Sequence, residues 1–450
     1  MGYLQAAGDH FERDGHPVTL RGWALGTWMN LEHFMIGLPG THSQILQAFE
    51  AAYGKENAEA WLDRLLRCMV DEEDLAWLKG IGINSIRIPF NYHFLMDDSN
   101  PGVFLENGFE QLDRVVQLCA KNELYIILDL HAVPGSQNTD WHSDNTTGRP
   151  LFWKYRVFQD QVVWLWTQLA SRYADNPWIA GYDVINEPGY GVQPEEINGF
   201  YRQVIAAVRE VDPHHIFFLE GTDFGRDFSA LEKMEDPNIA YTVHFYPFVL
   251  EEDILDPALD DAVRMNIFNR IFDAQLSAVA RLERPVWCGE SGYEIQDGQE
   301  EFYSQLLLHN IRLCESRGIS WNLWTYKDAR CMGIAVPKKD SSWMALAERV
   351  AEKWTHHGEE KISMQVTKEL GTRFFAPLSA SLAYELDFQV RAVVHEVAVD
   401  QVLKPLLRGI PWEKMLGYAD DFSFANCDRR EIVVNHIRLF IQKSEEEETC

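Results

Sequence analysis

The 450-residue sequence contains no apolar run long enough to cross a lipid bilayer, so it does not predict a membrane-spanning protein. Its seven cysteines are scattered, odd in number and never spaced as Cys-x-x-Cys, which argues against a disulfide framework and a cysteine-bound zinc ion. Basic residues are few: 40 Lys and Arg stand against 69 Asp and Glu, and the formal net charge is −29. Such a chain lacks the basic surface that nucleic-acid-binding proteins use, and an anionic membrane or polyanionic substrate would repel it.

The first ten residues also lack the pattern of a secretory signal, in which a basic segment precedes an apolar run. Together with the unpaired cysteines, this predicts a cytoplasmic protein whose thiols are reduced. The sequence does not predict an oligomeric state.

What the sequence does contain is a regular alternation of strands and helices. Eight short apolar runs are separated by stretches whose apolar residues recur about every 3.6 positions, as at Leu112, Val115 and Cys119. This alternation predicts an α/β fold with a parallel sheet, and eight units predict a (β/α)8 TIM barrel with its active site at the carboxyl ends of the strands. The predicted strands are residues 19–23, 84–89, 125–131, 179–186, 216–220, 240–246, 286–290 and 320–324.

The sequence divides into a predicted catalytic barrel, residues 1–355, and a C-terminal extension, residues 356–450. The barrel begins with a hairpin over residues 11–21, whose tight turn is Asp14-Gly15, and we expect this hairpin to close the bottom of the barrel.

The C-terminal extension carries no catalytic motif, and its apolar run at residues 390–407 predicts a helix. We interpret the extension as a helical layer packed on the barrel, in preference to a wall of the substrate cleft or an oligomer contact. The acidic tail, residues 444–450, is expected to be frayed and solvated. Two adjacent histidine pairs are expected at the surface: His214-His215 and His356-His357.

Two of the predicted strands lead into a glutamate: the fourth into Glu187 and the seventh into Glu290. A carboxylate at the exit of a buried strand costs desolvation energy, so proteins keep one there mainly where it is paired or used. Two such groups at the same end of one barrel predict a carboxylate pair facing one pocket, which glycoside hydrolysis requires. We expect one carboxyl group to be protonated near neutral pH and the other to be ionised.

Other polar and aromatic residues stand at the ends of the predicted strands. Taken singly, each is better explained by the fold, as part of a buried ion pair, a hydrogen-bonded core histidine or a core tryptophan. Together they occupy the positions at which a barrel enzyme carries its working side chains, and that coincidence favours function. The set is Arg87, Asp129, His131, Asn186, His244, Tyr246 and Trp324.

Seven motifs in this order resemble those of glycoside hydrolase family 5, which belongs to the clan of retaining glycosidases built on this barrel, and in particular its exo-β-1,3-glucanases. Asn-Glu-Pro alone would be a weak pattern, whereas seven ordered motifs are specific. The resemblance extends over residues 10–355 and leaves the extension unexplained. The motifs are Arg21-Gly22-Trp23 with Asn30-Leu31-Glu32, Arg87-Ile88-Pro89, Asp129-Leu130-His131, Asn186-Glu187-Pro188, His244-Phe245-Tyr246, Cys288-Gly289-Glu290 and Trp321-Asn322-Leu323-Trp324.

The resemblance implies a role for each site residue. Glu187 would be the general acid/base and Glu290 the nucleophile that forms a covalent glycosyl-enzyme, with their carboxyl groups about 5–5.5 Å apart. Arg87 and Tyr246 would hold Glu290 ionised, and Asn186 would hydrogen-bond the sugar 2-hydroxyl. His131 and His244 would bind sugar hydroxyls or orient the carboxylates. Trp324 would form an apolar platform under the sugar.

Glu32 follows the first predicted strand. In the exo-glucanases that the chain resembles, the matching glutamate binds hydroxyls of the terminal sugar, which fits an enzyme that removes one sugar from a chain end. A surface glutamate early in a helix would give the same pattern, so both interpretations stay open.

The sequence therefore predicts a retaining, exo-acting β-glycosidase that hydrolyses short β-glucosides or β-glucan oligosaccharides by double displacement, with a carbohydrate substrate as its partner. The same machinery acting on a β-mannoside is one alternative. A glycolipid β-glycosidase is another, and it would need an apolar surface beside the cleft. A catalytically inactive sugar-binding barrel is the third, although both carboxylates are present.

Neither a cofactor nor a metal is predicted. A metal-dependent barrel hydrolase would need a His-x-His at the first strand or an equivalent ligand cluster, which the sequence does not show. The loop with Asp140, His142 and Asp144 offers too few oxygen ligands for a hard cation. We expect Trp141 in this loop to shape the site of the leaving group instead.

Overall fold

The computed structural model describes residues 2–374 and 378–449. At its centre, eight parallel strands form a closed barrel in chain order, and the last strand pairs with the first through Trp321 and Arg21. This confirms the predicted (β/α)8 fold. The barrel strands are Arg21–Ala24, Ser85–Asn91, Tyr125–Ala132, Ile179–Asp183, Ile216–Glu220, Ile239–His244, Val286–Glu290 and Ser320–Leu323.

Helices connect the barrel strands and pack their apolar faces on the outside of the sheet. In the helix after the second strand, Leu112, Val115 and Cys119 are all buried, as their spacing predicted. The helices up to the end of the barrel are His33–Ile36, His42–Tyr53, Lys55–Met69, Glu72–Ile81, Glu106–Lys121, Arg156–Tyr173, Pro194–Arg209, Thr222–Gly225, Asp261–Ala280, Glu300–Glu315 and Ser342–Ala351.

A small antiparallel sheet precedes the barrel and closes its bottom. Asp14 and Gly15 form its second turn with φ values of 53° and 75°, the left-handed conformation that a two-residue hairpin turn requires. Leu4 and Phe11 are buried among side chains from the amino-terminal ends of the barrel strands, and the Phe11 ring lies 5.8 Å from that of Phe218. The three strands are Gln5–Ala7, His10–Arg13 and His16–Val18.

Beyond the barrel the chain is mainly helical, as predicted. Two long helices, His356–Arg373 and Ala380–Ala398, pack on each other and are called the helix pair. Across residues 2–374 and 378–449, no helix is long and apolar enough to cross a membrane. The remaining elements are the π-helical turn Val399–Leu403, the helices Lys404–Arg408, Trp412–Tyr418 and Glu431–Thr449, and the strand Cys427–Arg429, which pairs with Ala335–Pro337.

A buried ion pair within the barrel is hydrogen-bonded to the extension. Lys327, just after the eighth barrel strand, donates to Asp74 Oδ1 at 2.6 Å and to the backbone oxygen of Phe422 at 2.9 Å. Burial raises the pKa of Asp74 to about 6, although Lys327 beside it favours the ionised form. Breaking such a buried pair costs much more than breaking a surface pair, because it leaves an uncompensated charge.

Two expectations about the surface need correction. His215 is buried, because its Nδ1 contacts the carboxylate of Asp212 at 2.6 Å and its Nε2 contacts the backbone oxygen of Asn176 at 3.0 Å. The acidic tail, expected to be frayed, is helical through Thr449, since glutamate favours helices, although residues 445–447 are exposed. Residue 450 lies outside the described residues.

Candidate active site

Two glutamates meet at the carboxyl ends of the barrel strands. Glu290 is the last residue of the seventh strand, and Glu187 lies in the loop that follows the fourth. One carboxylate oxygen of each lies within 4.8 Å of the other and of a ring nitrogen of His244. The structure therefore brings together the two carboxylates that the sequence predicted to face one pocket.

The backbone at Glu187 is held in an unusual conformation. Its φ is 49°, a left-handed value that costs an L-residue roughly 1–2 kcal/mol. Its N–H donates to Glu220 Oε2 at 2.8 Å, and its carbonyl oxygen accepts from Asn138 Nδ2 at 2.9 Å. These two hydrogen bonds stabilise the strained turn that points the carboxylate into the barrel mouth.

Glu290 is held by a cation and a hydroxyl group. Arg87 Nη1 contacts its Oε1, and the Tyr246 hydroxyl donates to its Oε2 at 2.9 Å. The Arg87 guanidinium is completely buried, so its charge acts at close range in a medium of low polarity. The two contacts fix the position of the carboxylate, as a nucleophile requires.

Arg87 serves several buried carboxylates at once. Its Nη2 lies 2.9 Å from Asp183, 3.2 Å from Asp129 and 3.5 Å from Glu220. Burial raises the pKa of Asp183 well above its usual value; Arg87 opposes this shift, whereas Glu220 and Asp129 add to it.

Glu187 has a different environment, made of two histidines. Its Oε1 lies 2.7 Å from His244 Nδ1 and its Oε2 lies 3.0 Å from His142 Nε2. Burial raises the pKa of Glu187, but the contacts with His142 and His244 outweigh burial and the pKa falls below its usual value. Burial lowers the pKa of His142, but Glu187 and Asp140 together outweigh burial and raise that pKa to about 9.

This proton distribution differs from the sequence-based expectation that one of the two glutamates is protonated near neutral pH. Two imidazoles lower the pKa of Glu187 more than burial raises it, and the pKa of His142 is raised to about 9, so both shifts favour a proton on His142 over one on Glu187. Because the two groups lie 3.0 Å apart, their titrations are linked.

The residues expected around the sugar lie next to the two glutamates. The His131 ring stacks on Trp324 with centroids 5.3 Å apart and planes 8° from parallel. Its Nδ1 contacts Asp129 at 2.7 Å, and its Nε2 lies 3.6 Å from Glu32 and 3.5 Å from Asn186 Nδ2. Burial lowers the pKa of His131, but Asp129 and Glu32 together outweigh burial and raise that pKa to about 10.

A comparison with protein-family models matches residues 51–330 to the cellulase family, glycosyl hydrolase family 5. The chain is also 34% identical to a β-xylosidase of Phanerodontia chrysosporium over 465 aligned positions, which cover 96% of both proteins. The chain belongs to glycoside hydrolase family 5.

Other proteins match over shorter stretches. A glucan 1,3-β-glucosidase of Pichia angusta is 28% identical over 259 residues, which cover 53% of this chain and 57% of that protein. Among solved structures, an endogalactoceramidase aligns with a TM-score of 0.55 at 18% identity, covering 73% of this chain and 75% of that one. Thermotoga maritima Cel5A with cellobiose aligns with a TM-score of 0.52 at 17% identity, covering 74% and 97%. These two structures support the barrel fold.

The two glutamates open into a cavity of about 1070 Å³. One side is the barrel mouth of this family 5 enzyme, and the opposite side is the helix pair, which corrects the expectation that the extension is only a layer packed on the barrel. The helix pair covers the mouth because it stacks on the loop with Trp141, whose ring lies 6.3 Å from that of Phe388. Residues of the helix pair that line the cavity include His356, Glu360, Met364, Tyr384, Phe388 and Arg391.

Sequence reasoning missed several residues at the site. Asp183 and Glu220 were not singled out, although each is an acidic residue ending an apolar strand, which was the signal used for Glu290. The sequence places His142 in a loop expected to shape the leaving-group site, but its contact with Glu187 depends on a loop fold that no periodicity reveals. The helix-pair residues carry no local signal at all. Every predicted site residue, in contrast, lies at this mouth.

Proposed function

We propose that this family 5 protein is a retaining, exo-acting β-glycosidase that hydrolyses short β-glucosides or β-glucan oligosaccharides by double displacement. The observation that carries the proposal is the separation of the two carboxylates, whose nearest oxygens lie within 4.8 Å. Retaining enzymes hold their carboxyl groups about 5–5.5 Å apart, whereas inverting enzymes need about 6.5–9.5 Å to admit a water molecule between carboxylate and sugar.

In the first step, Glu290 attacks the anomeric carbon and forms a glycosyl ester as the bond to the leaving oxygen breaks. Arg87 and Tyr246 position the attacking carboxylate. Glu187 donates a proton to the leaving oxygen. Because Glu187 is ionised in the free site, that proton comes from the pair it forms with His142.

In the second step, Glu187 removes a proton from water, which attacks the anomeric carbon and releases Glu290. The removed proton restores the Glu187–His142 pair to its starting state. Asn186 accepts no proton in either step. Its Oδ1 receives a hydrogen bond from Arg87 Nη2 at 2.8 Å, which leaves its amide to bond the sugar 2-hydroxyl.

Exo action is supported by the position of Glu32. Its carboxylate lies 3.6 Å from His131, whose ring stacks on Trp324, so all three side chains face the same part of the cavity. A carboxylate beside an aromatic platform can accept hydrogen bonds from the hydroxyls of a terminal sugar. A chain continuing in that direction would place a glycosidic oxygen against a buried negative charge.

The sugar is proposed to be glucose, with xylose as the second candidate. The 34% identical relative that aligns over 96% of its length is a β-xylosidase, and xylose differs from glucose only in lacking the hydroxymethyl group at C5. A β-mannoside differs instead at C2, beside Asn186. Initial rates on matched aryl β-glucoside, β-xyloside and β-mannoside separate the three.

A glycolipid substrate is the second candidate for the leaving group. It is favoured by apolar side chains around the cavity, where Val249, Leu250 and Met364 are more than half exposed. Large exposed apolar patches in a soluble protein mark binding surfaces. A series of alkyl β-glucosides tests this: kcat/KM should rise with alkyl length if the leaving group occupies the apolar side, and should stay flat if it does not.

Substitution of the two glutamates tests the proposed reaction. We expect Glu290→Ala and Glu187→Ala each to lose most turnover of an aryl β-glucoside, at least on the order of 100-fold. Azide should restore turnover of Glu187→Ala and form a β-glycosyl azide. In the second step azide replaces water as the nucleophile, and unlike water it needs no general base. Wild-type turnover in both variants would contradict the assignment, and so would an α-anomer as the first product seen by NMR. An inactive sugar-binding barrel would bind substrate without any turnover.

A further inference from the structure

A second group of ionisable side chains lies buried away from the two catalytic glutamates. Its members are His33, Glu359 and His395, called here the histidine–glutamate cluster. His33 begins the short helix after the first barrel strand, whereas Glu359 and His395 belong to the two members of the helix pair. All three side chains are essentially inaccessible to solvent.

The three side chains turn one polar atom each toward a common point. One side-chain nitrogen or oxygen of each residue lies within 4.8 Å of one from each of the other two. In the described part of the chain, the atoms left without a hydrogen-bond partner are His33 Nδ1, Glu359 Oε1 and His395 Nε2. Within residues 2–374 and 378–449, none of the three atoms makes a hydrogen bond of normal geometry. His395 Nε2 does lie 2.8 Å from Glu359 Oε1, so the two atoms are close without an aligned N–H between them. Three buried polar atoms left in this state are costly unless something binds them.

In His33 and Glu359, the side-chain atom that faces away from the cluster contacts another residue, as is typical of metal ligands. His33 Nε2 lies 3.1 Å from His356 Nδ1, and a proton on Nε2 leaves a lone pair on Nδ1. Trp354 Nε1 donates to Glu359 Oε2 at 2.7 Å and leaves Oε1 directed at the cluster. Hydrogen bonds on the far side of a ligating histidine or carboxylate orient it toward its metal.

We propose that the histidine–glutamate cluster binds a divalent transition-metal ion, foremost Zn²⁺, and that this ion fastens the helix pair to the barrel mouth. Two imidazole nitrogens and one carboxylate oxygen form a ligand set that suits zinc rather than magnesium or calcium. Ligands about 2.0 Å from a tetrahedral ion are separated by roughly 3.3 Å. The observed 2.8 Å contact and the 4.8 Å limit bracket that separation. Water would supply the fourth ligand.

The position of the site gives the ion a structural role. His33 is the next residue after Glu32, and the helix pair forms one side of the cavity. An ion held by His33, Glu359 and His395 would therefore connect the segment carrying Glu32 to both helices that cover the barrel mouth. The ligands come from three distant stretches of the chain, so no local motif reveals them.

Metal content is the direct test, made on the full chain without a polyhistidine tag. We expect wild-type protein to retain about an equimolar amount of Zn²⁺ by mass spectrometry after desalting. Glu359→Gln and His33→Asn should each lose it. His357→Ala is the control, because His357 is an exposed histidine on the same helix as Glu359 and should leave the metal content unchanged.

A second measurement avoids variants that fail to fold. Dipicolinate treatment of the wild type should lower the unfolding temperature by a few degrees, and added ZnCl2 should restore it, because an ion that binds only the folded state stabilises it. Added MgCl2 should not. The proposal would be overturned if the wild-type protein holds no transition metal and its unfolding temperature does not change when ZnCl2 is added. The cluster would then be a buried polar group that binds no metal. Loss of zinc from His357→Ala alone would also overturn it.

Discussion

The two sides of the cavity differ in burial and in composition. The barrel side is buried and densely charged, with Arg87 at the centre of four acidic side chains. The helix-pair side is partly exposed and mixes apolar residues such as Met364 with charged ones such as Glu360. Buried charges positioned by strands act strongly and at fixed distances, which suits bond breaking, whereas apolar groups on helices give affinity proportional to contact area. The comparison supports the proposal that the barrel carries out the reaction and that the extension contacts the leaving group.

The largest effect is expected from removing the cation on the barrel side. Arg87→Met leaves buried carboxylates without their positive partner, so the free energy of unfolding should fall by roughly 3–5 kcal/mol and activity should be lost. Urea unfolding followed by circular dichroism measures this. Arg64→Met is the control, because Arg64 forms an ion pair with Asp420 in which both side chains are about 40% exposed, and the loss there should not exceed about 1 kcal/mol. Equal losses in the two variants would contradict the comparison.

The next effect concerns the proton shared by Glu187 and His142. In the wild type, His142 holds that proton until the pH rises through about 9, so the alkaline limb of kcat/KM should lie there. In His142→Asn the proton must reside on Glu187, whose affinity for it is lower because His244 remains beside it. We expect the alkaline limb to move to lower pH. An unmoved limb would show that His142 does not hold the proton.

The same contact predicts a pH dependence of stability. The pKa of His142 is higher in the folded protein than its ordinary value of 6.5, so its contribution is fully present below about pH 6.5 and is lost as the pH rises through about 9. Unfolding free energies measured across this range should fall more steeply for the wild type than for His142→Asn. Parallel curves for the two proteins would contradict the assigned contact.

A smaller effect is expected from Glu32, on the barrel side nearest the helix pair. Glu32→Gln keeps the shape but removes the charge that would bind the terminal hydroxyls, so kcat/KM should fall by roughly 10- to 100-fold, the cost of losing hydrogen bonds to a charged group. Glu294→Gln is the control, since Glu294 also lines the cavity but contacts His357. Glu32→Gln could also release internal fragments from a β-glucan oligosaccharide as fast as the wild type releases glucose. That result would show that exo action depends on Glu32.

The smallest effect is expected on the helix-pair side. Met364→Ser removes apolar contact area, so KM for a long-chain alkyl β-glucoside should rise by roughly fivefold, which corresponds to about 1 kcal/mol. Rates on methyl β-glucoside should be unchanged. Leu439→Ser, which alters an equally exposed apolar residue on the last helix, should affect neither substrate. A Met364→Ser loss that is the same for both substrates would place this residue in the reaction instead of in leaving-group binding.

The barrel could be predicted from the sequence because its signals are local. Each strand is an apolar run between helical patterns, and the periodicity that defines Glu106–Lys121 depends only on neighbouring residues. The site residues at the strand ends could be predicted from the same signals, because the carboxyl ends of parallel strands meet at one face of the barrel. Glu187 and Glu290 could therefore be paired across about a hundred residues without a structure.

What lies outside the barrel strands could not be predicted in this way. The helix pair was expected to be a passive layer, because its apolar residues show that it packs without showing against what. His142 reaches Glu187 only through the fold of its loop, and the proton distribution of the pair depends on distances of 2.7 and 3.0 Å to two histidines. The cluster of His33, Glu359 and His395 needs three distant segments to meet.

The sequence by itself determined the barrel, the two glutamates at its mouth and the family. The periodicity of the strands and the polar residues at their ends can be identified from short stretches of chain. Only the tertiary structure decided which side chains contact each carboxylate and what covers the mouth. Those properties depend on distance, burial and charge among residues far apart in the chain.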